Sequence, residues 1–216
     1  WRETELVVQV DVSWAESPAG GEGWLDRTAL FLQVVSARLG LIAARRFSAR
    51  NRDDITRLYN QNYLKWSIEQ EIARCDRYGG ELVVVFFDLD NLREVNAQHG
   101  HLVGTEVLRQ VADILREGVR QVDLAARFGG DEFVLLLPNT SSNAAVAVCH
   151  RLLRQVREHE FLTDQGKEIR MTGSFGIARY PGDGQNADEL IAAADAAMYL
   201  VKRGGKDNVM IFQGDQ

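Results

Sequence analysis

Two acidic clusters stand where this sequence could do chemistry. Asp88 and Asp90 close a long apolar run, and Asp131 and Glu132 follow a Gly-Gly pair. Carboxylate oxygens are hard ligands that hold divalent cations, and such a cation stabilises charge developing on phosphate oxygens. A neighbouring carboxylate can take the proton of an attacking hydroxyl. The pattern therefore points to metal-assisted phosphoryl chemistry. Each acid alone also reads as an ordinary surface group, and the turn alone reads equally well as a solvated hairpin.

The elements that must position these groups follow from their flanks. Leu124 to Phe128 and Phe133 to Leu137 are β-prone runs on either side of Gly129 and Gly130, so the stretch from Arg127 to Leu137 is expected to be a hairpin with carboxylates at its turn. The two glycines can take positive φ and let a ligand approach the backbone. Glu81 to Asp90 is apolar without alternation, as expected of a central strand buried on both faces, and it stops at Asp88 and Asp90. Carboxylates at such a strand end need partners, and a divalent cation is one.

Asp88-Leu89-Asp90, Asn96, Gly100-His101 and Gly129-Gly130-Asp131-Glu132-Phe133 together resemble the signature of GGDEF-type diguanylate cyclases. The resemblance runs from about Asp53 to Asn208. It implies an α/β (α+β) fold with a mixed central sheet flanked by helices, similar to nucleotidyl cyclases and polymerase palm domains. It also implies condensation of two GTP into cyclic di-GMP with release of pyrophosphate, by a homodimer in which each domain holds one triphosphate. Mg2+ (or Mn2+) would be held by Asp88, Asp131 and the Leu89 carbonyl, with Glu132 as general base. Neighbouring acids in one turn can exchange metal and base duties, so the sequence leaves Asp131 and Glu132 interchangeable.

Phosphates need donors, and the backbone N–H groups of Asn91, Leu92 and Arg93 at a strand-to-helix junction can supply them. Lys202 and Lys206 resemble the two basic residues of the family's closing motif, which meet the triphosphate; they also read as ordinary cations at a helix C-terminus. By the same resemblance Asn96 reads guanine, and His101 belongs to the Gly-His pair. Arg120 and Asp123 reproduce R-x-x-D in register, which in relatives binds cyclic di-GMP and inhibits the enzyme, and Arg151 falls where relatives carry a second arginine for that ligand.

Three positions depart from the pattern. Asp53 to Asn60 resembles the family's opening motif, in which Arg57 replaces a glycine and so puts a glycine-specific backbone conformation there in doubt, and Ala97 replaces a frequent aspartate. Thr105 stands where an aspartate normally joins Asn96 on guanine. A carboxylate accepts from N1–H and N2–H together, whereas a hydroxyl offers one group that can also donate. Relatives with serine there include enzymes making mixed cyclic GMP-AMP. Two alternatives to a plain diguanylate cyclase follow: a synthase of relaxed base selectivity, or a degenerate module that senses GTP or cyclic di-GMP without turnover.

Bulk properties narrow the partners. The 216 residues carry 25 Lys and Arg against 31 Asp and Glu, a formal charge of −6, which argues against nonspecific nucleic-acid binding. Cys75 and Cys149 are far apart, which favours a reducing, cytoplasmic compartment over a disulfide or zinc framework. No run of about 18 apolar residues exists, so no membrane contact is expected within this segment. Trp1 to Glu5 is no signal peptide, and a chain starting at Trp1 reads as a piece of a longer protein whose unseen upstream part could be membrane-tethered.

Along the chain, Leu6 to Val12 reads as a strand and Asp26 as the cap of a long helix through Leu30, Val34, Ala37, Leu41 and Ala44. Strand, loop and helix resemble the end of a GAF-type sensor domain and a signalling helix, giving residues 1–47 as that fragment and 48–216 as the catalytic domain. Helices are expected over Tyr63 to Arg77, Thr105 to Val119, Asn143 to Glu158 and Ala187 to Arg203. Ile169 to Tyr180 is expected to be a strand pair or a strand bent around Gly173 and Gly176, with Val209 to Phe212 as a closing strand.

Overall fold

The structure, a computed structural model, describes residues 51–162 and 168–214. The expected strand Leu6 to Val12, the long helix from Asp26 and the boundary at 47/48 lie outside the described residues. Strand β2, Leu82–Asp90, is buried along its whole length. It lies at the centre of a six-stranded sheet with β1 (Tyr59–Asn60), β3 (Leu124–Arg127), β4 (Glu132–Pro138), β7 (Thr172–Tyr180) and β8 (Val209–Ile211), in the order β1-β3-β4-β2-β7-β8. The outer pairs β1–β3 and β7–β8 are parallel and the inner pairs antiparallel, so the sheet is mixed, as expected. A short ladder of β5 (Phe161–Leu162) and β6 (Glu168–Ile169) stands apart.

Helices cover both faces of the sheet, which explains why β2 lacks alternation. Val83, Val85, Phe87 and Leu89 join a core with α3 (His101–Glu117) and α4 (Ser142–Glu158). Leu82, Val84 and Phe86 join a second core with α1 (Gln61–Tyr78) and α5 (Ala187–Arg203). The short helix α2 (Leu92–His99) follows β2 directly, and Gly100 at φ 87 turns the chain into α3. Asn60, Ser141 and Asn186 cap α1, α4 and α5, each accepting from a backbone N–H of the first turn. Among the described residues no helix is long and apolar enough to cross a membrane.

One local expectation is corrected and one open point is resolved. Residues Thr172–Tyr180 form one continuous strand, paired with β2 from Leu82↔Tyr180 to Asp90↔Thr172, and not a pair or a bend. Its glycines serve close approach: a Cβ at Gly173 would lie 2.1 Å from the Phe87 ring, and one at Gly176 would lie 2.0 Å from the Ala194 carbonyl oxygen on α5. Arg57, where the glycine-specific backbone was in doubt, keeps a left-handed conformation at φ 60. Its N–H donates to Asp53 O at 2.9 Å and its carbonyl accepts from Arg52 Nη1 at 2.6 Å, so the turn around it imposes the strain. Left-handed backbone costs a side-chain-bearing residue about 1–2 kcal/mol, and glycine returns up to about 1 kcal/mol in backbone entropy. Arg57→Gly is therefore expected to stabilise the fold by about 0.5–1 kcal/mol, read as a higher urea midpoint at unchanged slope; a lower midpoint would show that the arginine side chain contributes more than its strain costs.

Candidate active site

The β2–β4 register sets Asp88 directly beside Glu132, and Leu89 N donates to Asp131 O at 3.2 Å, so the strand end and the hairpin turn form one acidic corner. The turn is narrow, with Phe128 N donating to Glu132 O at 2.9 Å. Neither glycine in it uses the left-handed backbone open to it. Gly129 supplies room instead: a Cβ there would sit 2.3 Å from Glu132 Oε2. A Cβ at Gly130 would meet nothing within 4 Å, leaving that backbone open to the adjoining pocket.

Charge is concentrated in this corner. Burial pushes Asp88 up to about 6; Lys202 opposes this, while Asp131 and Glu132 add to it. Lys202 Nζ lies 2.5 Å from Asp88 Oδ1 as an ion pair, although the oxygen makes no well-directed hydrogen bond. Glu132 is raised by burial first and then by the charges of Asp131 and Asp195, again opposed by Lys202. Asp195 was not singled out from sequence, yet it lies on α5 two helical turns before Lys202, a spacing that puts both on one face.

Asp90 has a different role from the one suggested by its place beside Asp88. It accepts from Thr172 Oγ1 at 2.8 Å, Ser174 Oγ at 2.9 Å and Asp207 N at 3.1 Å, and it is almost fully buried. These donors satisfy the carboxylate, which makes it an internal anchor between β2, β7 and the loop after α5. Among the described residues no three His, Cys, Asp or Glu side chains converge in metal-binding geometry. The expected set needs only two carboxylates and the Leu89 carbonyl. A buried Asp88 beside the half-buried, like-charged Asp131 offers hard oxygen ligands that fit a divalent cation.

Beside the corner lies a cavity of about 270 Å³ lined by Leu92, Arg93, Asn96, His101, Thr105, Arg127, Gly130 and Asp131, among others. It gathers the residues expected to read the base together with Leu92 and Arg93, two of the five expected to approach the phosphates; Asn91, Lys202 and Lys206 do not line it. Asn96 is seated against α3, where a Cβ on Gly104 would lie 1.9 Å from its Oδ1, so Gly104 makes room for the amide. Thr105 Oγ1 donates to His101 O at 2.9 Å. With its hydrogen on the helix backbone, the hydroxyl keeps acceptor capacity to spare.

Asn91 begins α2 in left-handed backbone without capping it, its side chain accepting instead from Lys206 Nζ at 2.5 Å. Lys202 on Asp88 and Lys206 on Asn91 thus flank the strand end. Arg127 was not anticipated. It donates to both oxygens of Asp53 at 3.1 and 3.3 Å, to Gly129 O at 3.0 Å and to Gly130 O at 2.7 Å, tying the opening motif to the Gly-Gly turn. Burial raises Asp53, but hydrogen bonds from Thr56 and Arg127 prevail and hold it below the usual range.

Arg120, Asp123 and Arg151 line a separate cavity of about 340 Å³. Asp123 Oδ2 accepts from Arg120 N at 2.8 Å, while its Oδ1 is buried without a hydrogen-bond partner. Arg151 Nη2 donates to Gly118 O at 2.5 Å, which brings its guanidinium over the same turn.

Residues 50–208 match the family model described as Diguanylate cyclase, GGDEF domain. The chain is 38% identical over 161 residues to the bifunctional diguanylate cyclase/cyclic di-GMP phosphodiesterase MucR of Pseudomonas aeruginosa, covering 74% of this chain and 23% of that protein. The GGDEF domain of YfiN (TpbB) from Pseudomonas aeruginosa superposes with a TM-score of 0.72 at 28% identity, covering 74% of this chain and 99% of the other. The GGDEF domain of DgcB from Caulobacter crescentus, solved in complex with c-di-GMP, gives 0.71 at 25% identity over 74% and 95% of the two chains. The chain spans about a fifth to a third of the length of the curated relatives it matches.

Proposed function

The chain belongs to the GGDEF-domain diguanylate cyclase family, and from that premise we propose that it condenses two GTP molecules into cyclic di-GMP, releasing pyrophosphate. The observation that carries this reading is the register of Asp88 beside Glu132, with Asp131 at the turn and Lys202 on Asp88, at the mouth of the cavity lined by Asn96. Asp88, Asp131 and the Leu89 carbonyl would hold a divalent cation, which when bound supplies charge stabilisation on the α-phosphate. Glu132 takes the proton of the attacking 3′-hydroxyl, and burial with the charges of Asp131 and Asp195 raises its proton affinity for that task. Lys202, Lys206 and the first backbone amides of α2 receive the triphosphate. Each domain presents one nucleotide, so the reaction requires two copies face to face, and residues 1–47 would set that meeting. Incubation with magnesium and GTP, followed by pyrophosphate release, tests the reading; binding of GTP without release would identify a sensing module instead.

The second cavity supports inhibition by product at Arg120, Asp123 and Arg151. An arginine forked onto phosphate or a base edge contributes on the scale of a charged hydrogen bond. Arg120→Ala is expected to weaken cyclic di-GMP binding by about 1.5–3 kcal/mol in calorimetry; equal affinities would remove the assignment.

Thr105 favours a second reading of the base. An uncharged acceptor can take a hydrogen bond from the exocyclic amine of adenine as well as from guanine, and no carboxylate is left unpaired when adenine enters. With equimolar GTP and ATP, mass spectrometry is expected to show some cyclic GMP-AMP, and Thr105→Asp to restore preference for GTP by roughly 1–3 kcal/mol. Product that is only cyclic di-GMP, with ATP neither incorporated nor competing, would show that Thr105 does not set selectivity.

A further inference from the structure

The loop after α5 holds two consecutive non-glycine residues in left-handed backbone, Lys206 at φ 67 and Asp207 at φ 55. Side chains crowd the backbone there, so the conformation persists only where surrounding contacts over-determine it. Those contacts converge on Asp207. Arg157, in the last turn of α4, donates through Nε to Asp207 Oδ1 and through Nη2 to Asp207 O, both at 2.7 Å. Asp207 N in turn donates to Asp90, itself fixed by Thr172 and Ser174. One residue is thus held at its side chain, carbonyl and amide from two different elements. The next residue back, Lys206, has its N–H on Val201 O at 3.0 Å and its ammonium on Asn91 at the start of α2.

We propose that Arg157 is a positioning residue for substrate phosphates: by clamping Asp207 it holds Lys206 over the first turn of α2. The inference rests on the reading of Lys206 as a triphosphate ligand. A lysine on a fixed backbone loses less freedom on binding than one on a loose loop, so the clamp acts through preorganisation. Arg157 could instead be an ordinary cation compensating the α4 dipole. A half-exposed ion pair of that kind contributes little and has no need to fork across a side chain and the backbone carbonyl of the same residue.

The test is steady-state kinetics with GTP on the full chain for wild type, Arg157→Ala, Arg157→Lys, Lys206→Ala and the Arg157→Ala/Lys206→Ala double variant. Removing binding shared by ground and transition states raises KM and spares kcat. Arg157→Ala is expected to raise KM about tenfold at nearly constant kcat, with Arg157→Lys in between because an ammonium cannot span both oxygens as a fork does. In the Lys206→Ala background the same substitution should add less than about twofold, since it acts through Lys206. Equal factors in both backgrounds, or an unchanged KM in Arg157→Ala while Lys206→Ala raises it, would overturn the proposal. An unchanged KM in Lys206→Ala would remove the assignment of Lys206 itself, and the proposal with it.

Discussion

Asp131→Asn and Glu132→Gln are each expected to lower product formation by about 10²-fold or more while leaving the fold intact. Asp131 sits in the turn and Glu132 at the first position of β4, both only half-buried, so an amide of the same shape disturbs no packing. An amide neither carries the charge that holds a cation nor accepts the proton of a hydroxyl. The Glu132 substitution also has a thermodynamic signature. Burial, Asp131 and Asp195 raise its folded pKa, so its ionised form is disfavoured in the native state. The stability this group contributes is present below its unfolded pKa and is lost as pH rises through the folded one. At neutral pH the wild type bears that loss and Glu132→Gln does not. The variant should therefore melt at or above the wild-type temperature while its pyrophosphate release collapses. Wild-type rates in both variants would sink the site assignment, and a large drop in melting temperature would show a structural role.

The gross plan of this site was legible because it follows from local pattern. An apolar run without alternation gave a central strand, and two acids beside two glycines gave the turn. The helices followed from apolar spacing and were displaced only at their ends, chiefly at α3, which begins at His101 and not at Thr105. What was not legible depends on partners remote in sequence. Asp88 and Asp90 look alike in the chain and share one face of β2, but Thr172 and Ser174 on the neighbouring strand claim only Asp90. Arg127 looked like part of a hairpin arm, and its four bonds to Asp53 and the turn appear only when β1 and β3 pair. Arg57 shows the converse. Composition argued against a left-handed residue, and contacts around the turn overrode that preference.

Gly176→Ala is expected to destabilise the protein by at least about 3 kcal/mol, the upper range for overpacking, because what the new methyl meets cannot move aside cheaply. Its Cβ would fall 2.0 Å from Ala194 O and 2.3 Å from Met198 N, both backbone atoms of α5. Ala193, Ala194 and Ala197 are buried there, so the helix is already set close to β7 by small side chains. Accommodating the methyl requires α5 to shift outward, and the helix carries Lys202 with it. The 2.5 Å ion pair to Asp88 then lengthens, so the surviving folded fraction should show a raised KM for GTP as well as a lower urea midpoint. Gly130→Ala is the control for stability, since a Cβ there meets nothing within 4 Å and its backbone is not left-handed. A Gly176→Ala protein with the wild-type midpoint and KM would mean that the place of Lys202 is not set by contact between α5 and β7.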